Sequence, residues 1–190
     1  MGWILVGHSV VMVDSEDLGS AASADAAAPP GTSLVVGHDG SVGARNALTI
    51  ALQLASELKA PVTIVRAWSI ATAPRPKSWK FGYVCSNDEL AEAVEEELVA
   101  DTRDLLSRFA AVAVTYRVYH AAPAESLIKS SQTARMLVVG SRGRGGFGQL
   151  ALGSVSEQCV RHAACPVLVT RLSPRPSRRS AETVPRAASS

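Results

Sequence analysis

Gly140, Gly143, Gly153 and Ser154, with Arg142 and Arg144 set among them, are the residues whose types and spacing suit chemistry, and that chemistry is the holding of a phosphate. Phosphate oxygens take backbone N–H donors that can approach closely, which favours glycine. They also favour a helix N-terminus, where unpaired amides and the helix dipole draw negative charge. The stretch from Leu137 to Ser156, LVVGSRGRGGFGQLALGSVS, offers both: an apolar strand running into Gly140, a glycine-rich loop, and a helical pattern opening at Gly153-Ser154. Other chemistries find less support. No paired carboxylates, no G-x-S-x-G turn and no Ser/His/Asp arrangement stand out, so no catalytic residue is assigned. His120 at a strand end reads equally as a surface histidine.

Rival motifs fit poorly. Gly143 to Gly148 satisfies G-x-G-x-x-G, but a dinucleotide-binding turn needs an acidic residue about 20 positions on, where this chain has Leu168. A Walker loop needs Gly-Lys-Ser/Thr, which does not occur. A surface loop whose glycines serve only as turns is the remaining bland alternative.

The elements that position these residues follow from hydrophobic patterning. Leu34 to Gly37 reads as a buried strand, followed by the turn His38-Asp39-Gly40-Ser41. Gly43 to Leu58 carries apolar residues at helical spacing with Ser41 as candidate N-cap, and Val62 to Trp68 is the second strand. Ser69 to Ser86 is a long aperiodic insertion, and such loops in compact domains are usually binding loops or disordered. Asn87-Asp88-Glu89 supplies the cap and first-turn acids of a long helix reaching Phe109, whose acids, Asp101 and Asp104 among them, read as a solvated or flanking face. Val112 to Val118 is the third strand, Ala124 to Ser131 a short helix with Pro123 in its first turn, and Met136 to Gly140 the fourth strand. Val155 to His162 is a helix and Pro166 to Thr170 the last strand. Five strands alternating with four helices imply an α/β fold: an open five-stranded parallel sheet with helices on both faces.

Composition agrees with one folded domain flanked by extensions: 1–32 as a flexible N-terminal extension, 33–172 as the domain, 173–190 as a disordered basic tail. Of the 190 residues, 47% are hydrophobic and 19% charged, as in ordinary globular proteins. The net charge of +2 misleads: five arginines against Glu182 give residues 171–190 a charge of +4, leaving −2 for the rest. The body therefore has no evident nucleic-acid patch. Gly2 to Val13 is apolar but too short to span a bilayer and lacks the cations of a signal peptide, which argues against a membrane. Ala21 to Pro30 reads as a linker, with a cleavage site at Ala22-Ser-Ala24 as the open alternative. Cys85, Cys159 and Cys165 form no C-x-x-C pair, which fits reduced thiols in the cytoplasm, Cys159 packing on the sheet.

Gly140-x2-Gly143-x9-Gly153-Ser154 resembles the nucleotide-binding pattern of the universal stress protein family, and the resemblance extends from about Leu34 to Arg171. It implies strand order 3-2-1-4-5, bound ATP with Mg2+ or Mn2+, and a role as a nucleotide-regulated dimeric stress-response module with slow hydrolysis at most. Asp39 would contact the ribose or a water of the metal, with capping of the first helix as the alternative. The Ala67 backbone would meet adenine, and Val139 and Gly140 would border the sugar. Gly143 would let the loop fold against the phosphates, while Gly153, Ser154, Val155 and Ser156 would donate amide and hydroxyl hydrogen bonds to them. The family's last strands pair between subunits, which would put Val167, Leu168 and Val169 at a homodimer seam. One departure is Arg135, where members often carry an acid. The alternative function is a dimeric scaffold that binds no nucleotide. A similarly built adenylating enzyme would need a Ser-Gly-Gly-type loop after the first strand, and His38-Asp39-Gly40-Ser41 is not one.

Overall fold

The apolar runs marked as strands hydrogen-bond side by side into one parallel sheet. The computed structural model describes residues 11–14, backbone only, together with 30–144 and 152–172. The readings placed on 1–10, on 15–29, on the glycine-rich loop at 145–151 and on the tail from 173 lie outside the described residues. In chain order the elements are β1 (Val11–Asp14), β2 (Leu34–Gly37), α1 (Val42–Leu58), β3 (Val62–Trp68), α2 (Asn87–Leu106), β4 (Val114–His120), α3 (Pro123–Ser131), β5 (Met136–Gly140), α4 (Ser154–His162) and β6 (Val167–Thr170). Strand order is β1-β4-β3-β2-β5-β6. The five expected strands thus stand as 3-2-1-4-5, and a sixth joins them: Val11–Asp14 pairs parallel with β4, Val11 opposite Tyr116 and Asp14 opposite Tyr119.

Alternation along the strands fills two cores. Leu34, Val36, Val62, Ile64, Tyr116 and Val118 face α1 and α2, meeting Leu48, Leu52, Val94 and Leu98. Val35, Val65, Leu137 and Val139 face the other way, onto Leu127 and Cys159. Strands apolar on both faces are what a parallel sheet covered on both sides requires. α1 starts on Ser41, whose hydroxyl accepts the Ala44 amide.

Among the boundaries that differ from expectation, three have causes in the local hydrogen bonding. α2 is capped by Ser86, not by Asn87: the Ser86 hydroxyl accepts the Glu89 amide while the Glu89 carboxylate accepts the Ser86 amide, a capping box. It ends at Leu106, and Ser107–Phe109 tightens into a 3-10 turn. β4 begins at Val114, because the Val112 amide closes a turn on the Phe109 carbonyl.

Candidate functional site

Winding runs from β2 to β3 in one direction and from β2 to β5 in the other, so the carboxyl ends of β2 and β5 flank the switch point at which open α/β sheets leave a crevice. A cavity of about 460 Å³ lies there, and Asp39, Ala67, Val139, Gly140, Gly143, Gly153, Ser154, Val155 and Ser156 all line it. Residues from three elements and two loops are thereby brought together. His38, Ser41, Pro123 and Leu127, which sequence reading did not single out as site residues, line it too.

Asp39 is the one acid among the described lining residues. One of its carboxylate oxygens accepts the Ser41 amide at 3.0 Å and the other the Arg144 amide at 3.0 Å. It therefore fastens the glycine loop to the turn after β2, while Ser41 caps α1. Burial pushes the Asp39 carboxyl up, yet the hydrogen bonds from Ser41 and from the Arg144 amide, with the Arg144 charge nearby, outweigh it and hold the group below its ordinary value.

The three expected glycines are bare for different reasons. A Cβ on Gly143 would stand 2.5 Å from the Asp39 carboxylate, and one on Gly140 would stand 2.9 Å from the Gly43 backbone. Both positions are closed to side chains by the chain itself. Gly153 is different: a Cβ there would meet nothing nearer than the Ser141 carbonyl oxygen at 3.5 Å, an ordinary contact. Its φ of −75° and ψ of 160° nearly match the −74° and 160° of Ser41 and the −71° and 162° of Ser86, the serines that cap α1 and α2. A serine would fit and would cap; α4 instead begins with no side-chain cap. Its first amides, with the dipole behind them, open on the cavity. The Ser156 hydroxyl, expected to donate outward, is turned inward onto the carbonyls of Ser141 at 3.2 Å and Gly153 at 2.9 Å. Its proton is spent within the chain, leaving Ser154 as the exposed hydroxyl of this helix start.

Beside the cavity lies a buried charge cluster that sequence reading missed. Arg66 of β3 is 5% exposed. Its guanidinium reaches Glu97 at 3.2 Å, Asp101 at 2.5 Å, the His38 carbonyl at 3.1 Å and His38 Nδ1 at 3.0 Å. Asp101 is thus no plain solvated acid, since it faces the sheet to meet this cation. The available signal was an arginine inside the apolar run VTIVRAW together with two acids spaced i, i+4 on α2. Burial first, then the Arg66 charge, brings His38 down to about 4, so its imidazole is neutral.

An open all-parallel α/β sheet with an anion-favouring crevice at its switch point defines the class of protein. Comparison with family profiles matches residues 32–171 to the universal stress protein family. The chain belongs to that family. A universal stress protein of Mycobacterium tuberculosis is 34% identical over 143 residues, covering 75% of this chain and 46% of that protein. One from Mycobacterium bovis is 35% identical over 153 residues, covering 77% and 46%. The chain thus spans about half the length of the curated relatives it matches. Among solved structures, the protein UspA of Lactobacillus plantarum superposes with a TM-score of 0.55 at 20% identity, covering 75% of this chain and 99% of that one. A universal stress protein in complex with cAMP gives 0.56 at 23%, covering 76% and 99%, and an Archaeoglobus fulgidus one in complex with dAMP gives 0.50 at 19%, covering 73% and 96%. At those identities the likeness is one of fold. No helix among the described residues is long and apolar enough to cross a membrane.

Proposed function

We propose that this chain binds ATP in the crevice, phosphates on the start of α4 and adenine toward β3, and works as a nucleotide-regulated module that dimerises through β6 in the cytoplasm. The observation that carries the reading is Gly153. Where two sibling helices use serine caps at almost the same dihedrals, α4 keeps a bare Cα that its own packing does not demand, and leaves its amides to whatever enters. A cavity of about 460 Å³ also falls in the range of small-ligand sites, roughly 300–1,000 Å³. Fold relatives in complex with cAMP and with dAMP support the choice of an adenine nucleotide. Asp39 suits a divalent cation only in part, because each of its oxygens already accepts an amide. Mg2+ or Mn2+ would be held mainly by phosphate oxygens and water, with Asp39 at its margin. The hydrogen bonds that hold the Asp39 carboxyl below its ordinary value make it a weak general base, in keeping with slow hydrolysis at most.

The competing reading, a dimeric scaffold that takes no nucleotide, is favoured by Gly140 and Gly143, whose bareness the chain explains by itself. Gly153→Ser separates the two. With ATP as ligand, the substitution should cap α4 and raise unliganded stability by about a few tenths of a kcal/mol, while weakening ATP binding at least about tenfold as the hydroxyl takes the amides. Calorimetric titration and thermal melting of both proteins measure this. Wild-type protein that takes up no ATP at millimolar concentration would leave the scaffold reading standing.

A further inference from the structure

Arg144 holds a cation in reserve at the rim of the crevice. The residue is exposed and lines the cavity. Its amide is fixed, donating to the Asp39 carboxylate at 3.0 Å. Its guanidinium, by contrast, makes no ion pair and no hydrogen bond among the described residues. A bare turn gives it a resting place. Gly40 has a φ of +81°, and a Cβ built there would stand 2.5 Å from Arg144 Nη2 and 3.3 Å from Asp101 Oδ2. The guanidinium thus lies across Gly40, beside a carboxylate that Arg66 already holds at 2.5 Å. It stands next to an ion pair without joining it, and its N–H donors are unspent.

Reach and charge say what that cation meets. With a nucleotide in the crevice, the first phosphate stays beside the sugar, on the amides that open α4. A metal ion shared between the phosphate chain and the margin of Asp39 would bring the outer phosphates next to the residue whose amide Asp39 holds. An exposed arginine can leave Gly40 by rotating its own side chain, on a picosecond to nanosecond scale, with the bond from its amide intact. Its planar fork then matches two oxygens of one phosphate. We infer that Arg144 measures the phosphate chain, leaving Gly40 to fork the terminal phosphate of ATP, so that the site prefers ATP to AMP. The inference rests on the ATP reading given above, and it adds to that reading the residue that tells the two nucleotides apart.

The test titrates the intact chain with AMP and with ATP, each in the presence of Mg2+, before and after Arg144→Gln, which keeps the amide on Asp39 and removes the charge. The unmutated protein should bind ATP more tightly than AMP. Arg144→Gln should weaken ATP about 10-fold, the lower end of what a hydrogen bond to a charged group is worth, and leave AMP unchanged. Arg144→Lys should recover part of the loss, since an ammonium keeps the charge without the fork. Guanidinium nitrogen NMR of the unmutated protein is the second arm and needs no variant. The Arg144 Nε–H signal should move on adding ATP and stay put on adding AMP. AMP bound as tightly as ATP, equal losses for both nucleotides, no loss for either, or a signal that answers both alike would overturn the role of Arg144 while leaving ATP binding intact. Absence of ATP binding by the unmutated protein would remove both.

Discussion

At the scale of single residues, the glycines do unlike jobs, and substitutions should tell them apart. Gly143→Ala drives a Cβ to 2.5 Å from the Asp39 carboxylate, so it should break the Asp39–Arg144 link and destabilise the protein by about 1–2 kcal/mol with no ligand present. Urea denaturation without nucleotide should show this loss, where Gly153→Ser shows a gain. Two ionisable groups set opposite pH slopes. His38 is lowered from 6.5 to about 4 by burial and then by Arg66; the unfolded chain takes its proton first, so the contribution is complete above 6.5 and lost as pH falls toward 4. Glu95 is raised from 4.5 to about 7 by burial and then by the Glu92 charge; its contribution is complete below 4.5 and lost as pH rises toward 7. Between pH 4.5 and 6.5 the two oppose each other. Glu95→Gln should unmask His38, giving a stability that climbs by about 2 kcal/mol across that window, and should gain about 1 kcal/mol at pH 8 after allowance for partial exposure. Denaturation midpoints taken across this range check both signs. Little of this was legible beforehand: Gly140, Gly143 and Gly153 look alike in a string of letters, and only the approach of Gly43 and Asp39 separates them.

At the scale of elements, Arg66 clasps α2 to the sheet. Arg66→Met should cost about 2–3 kcal/mol, because it strands the His38 ring, while Glu97 and Asp101, with side chains 44% and 34% exposed, can turn to water. Double-mutant cycles with Asp101→Asn should show strong coupling. Removing the other hold on α2, by Ser86→Ala, should cost about 1 kcal/mol through loss of the cap. The elements themselves read well from sequence: β3 and β5 fall on their expected residues, since apolar runs between turn residues leave little choice. The misses lie at ends and junctions. Ser86-x-x-Glu89 was a readable capping box, passed over because Asn87-Asp88 also resembles a cap. The 3-10 turn at Ser107–Phe109 and the fit of Arg66 depend on neighbours distant in sequence.

For the whole molecule, the crevice was legible because glycine spacing and strand alternation pointed to the same end of the sheet. β1 was not: four residues carry no periodic signature, and pairing with β4 depends on a partner about a hundred residues away. At the far side β6 is a sheet edge bearing half-buried Val167, Leu168 and Val169, which invites pairing with a second copy. Sedimentation equilibrium should find a dimer, and Val167→Lys a monomer. If ATP is the ligand, saturation at 100 times its Kd should stabilise the fold by about 2.7 kcal/mol, seen as a raised Tm. The unfinished beginning of α4 then has a kinetic signature. With no cap of its own, the backbone protons of Ser154, Val155 and Ser156 should trade with deuterium quickly in the empty protein and slowly once occupied, so that the last helix completes its first turn only in company.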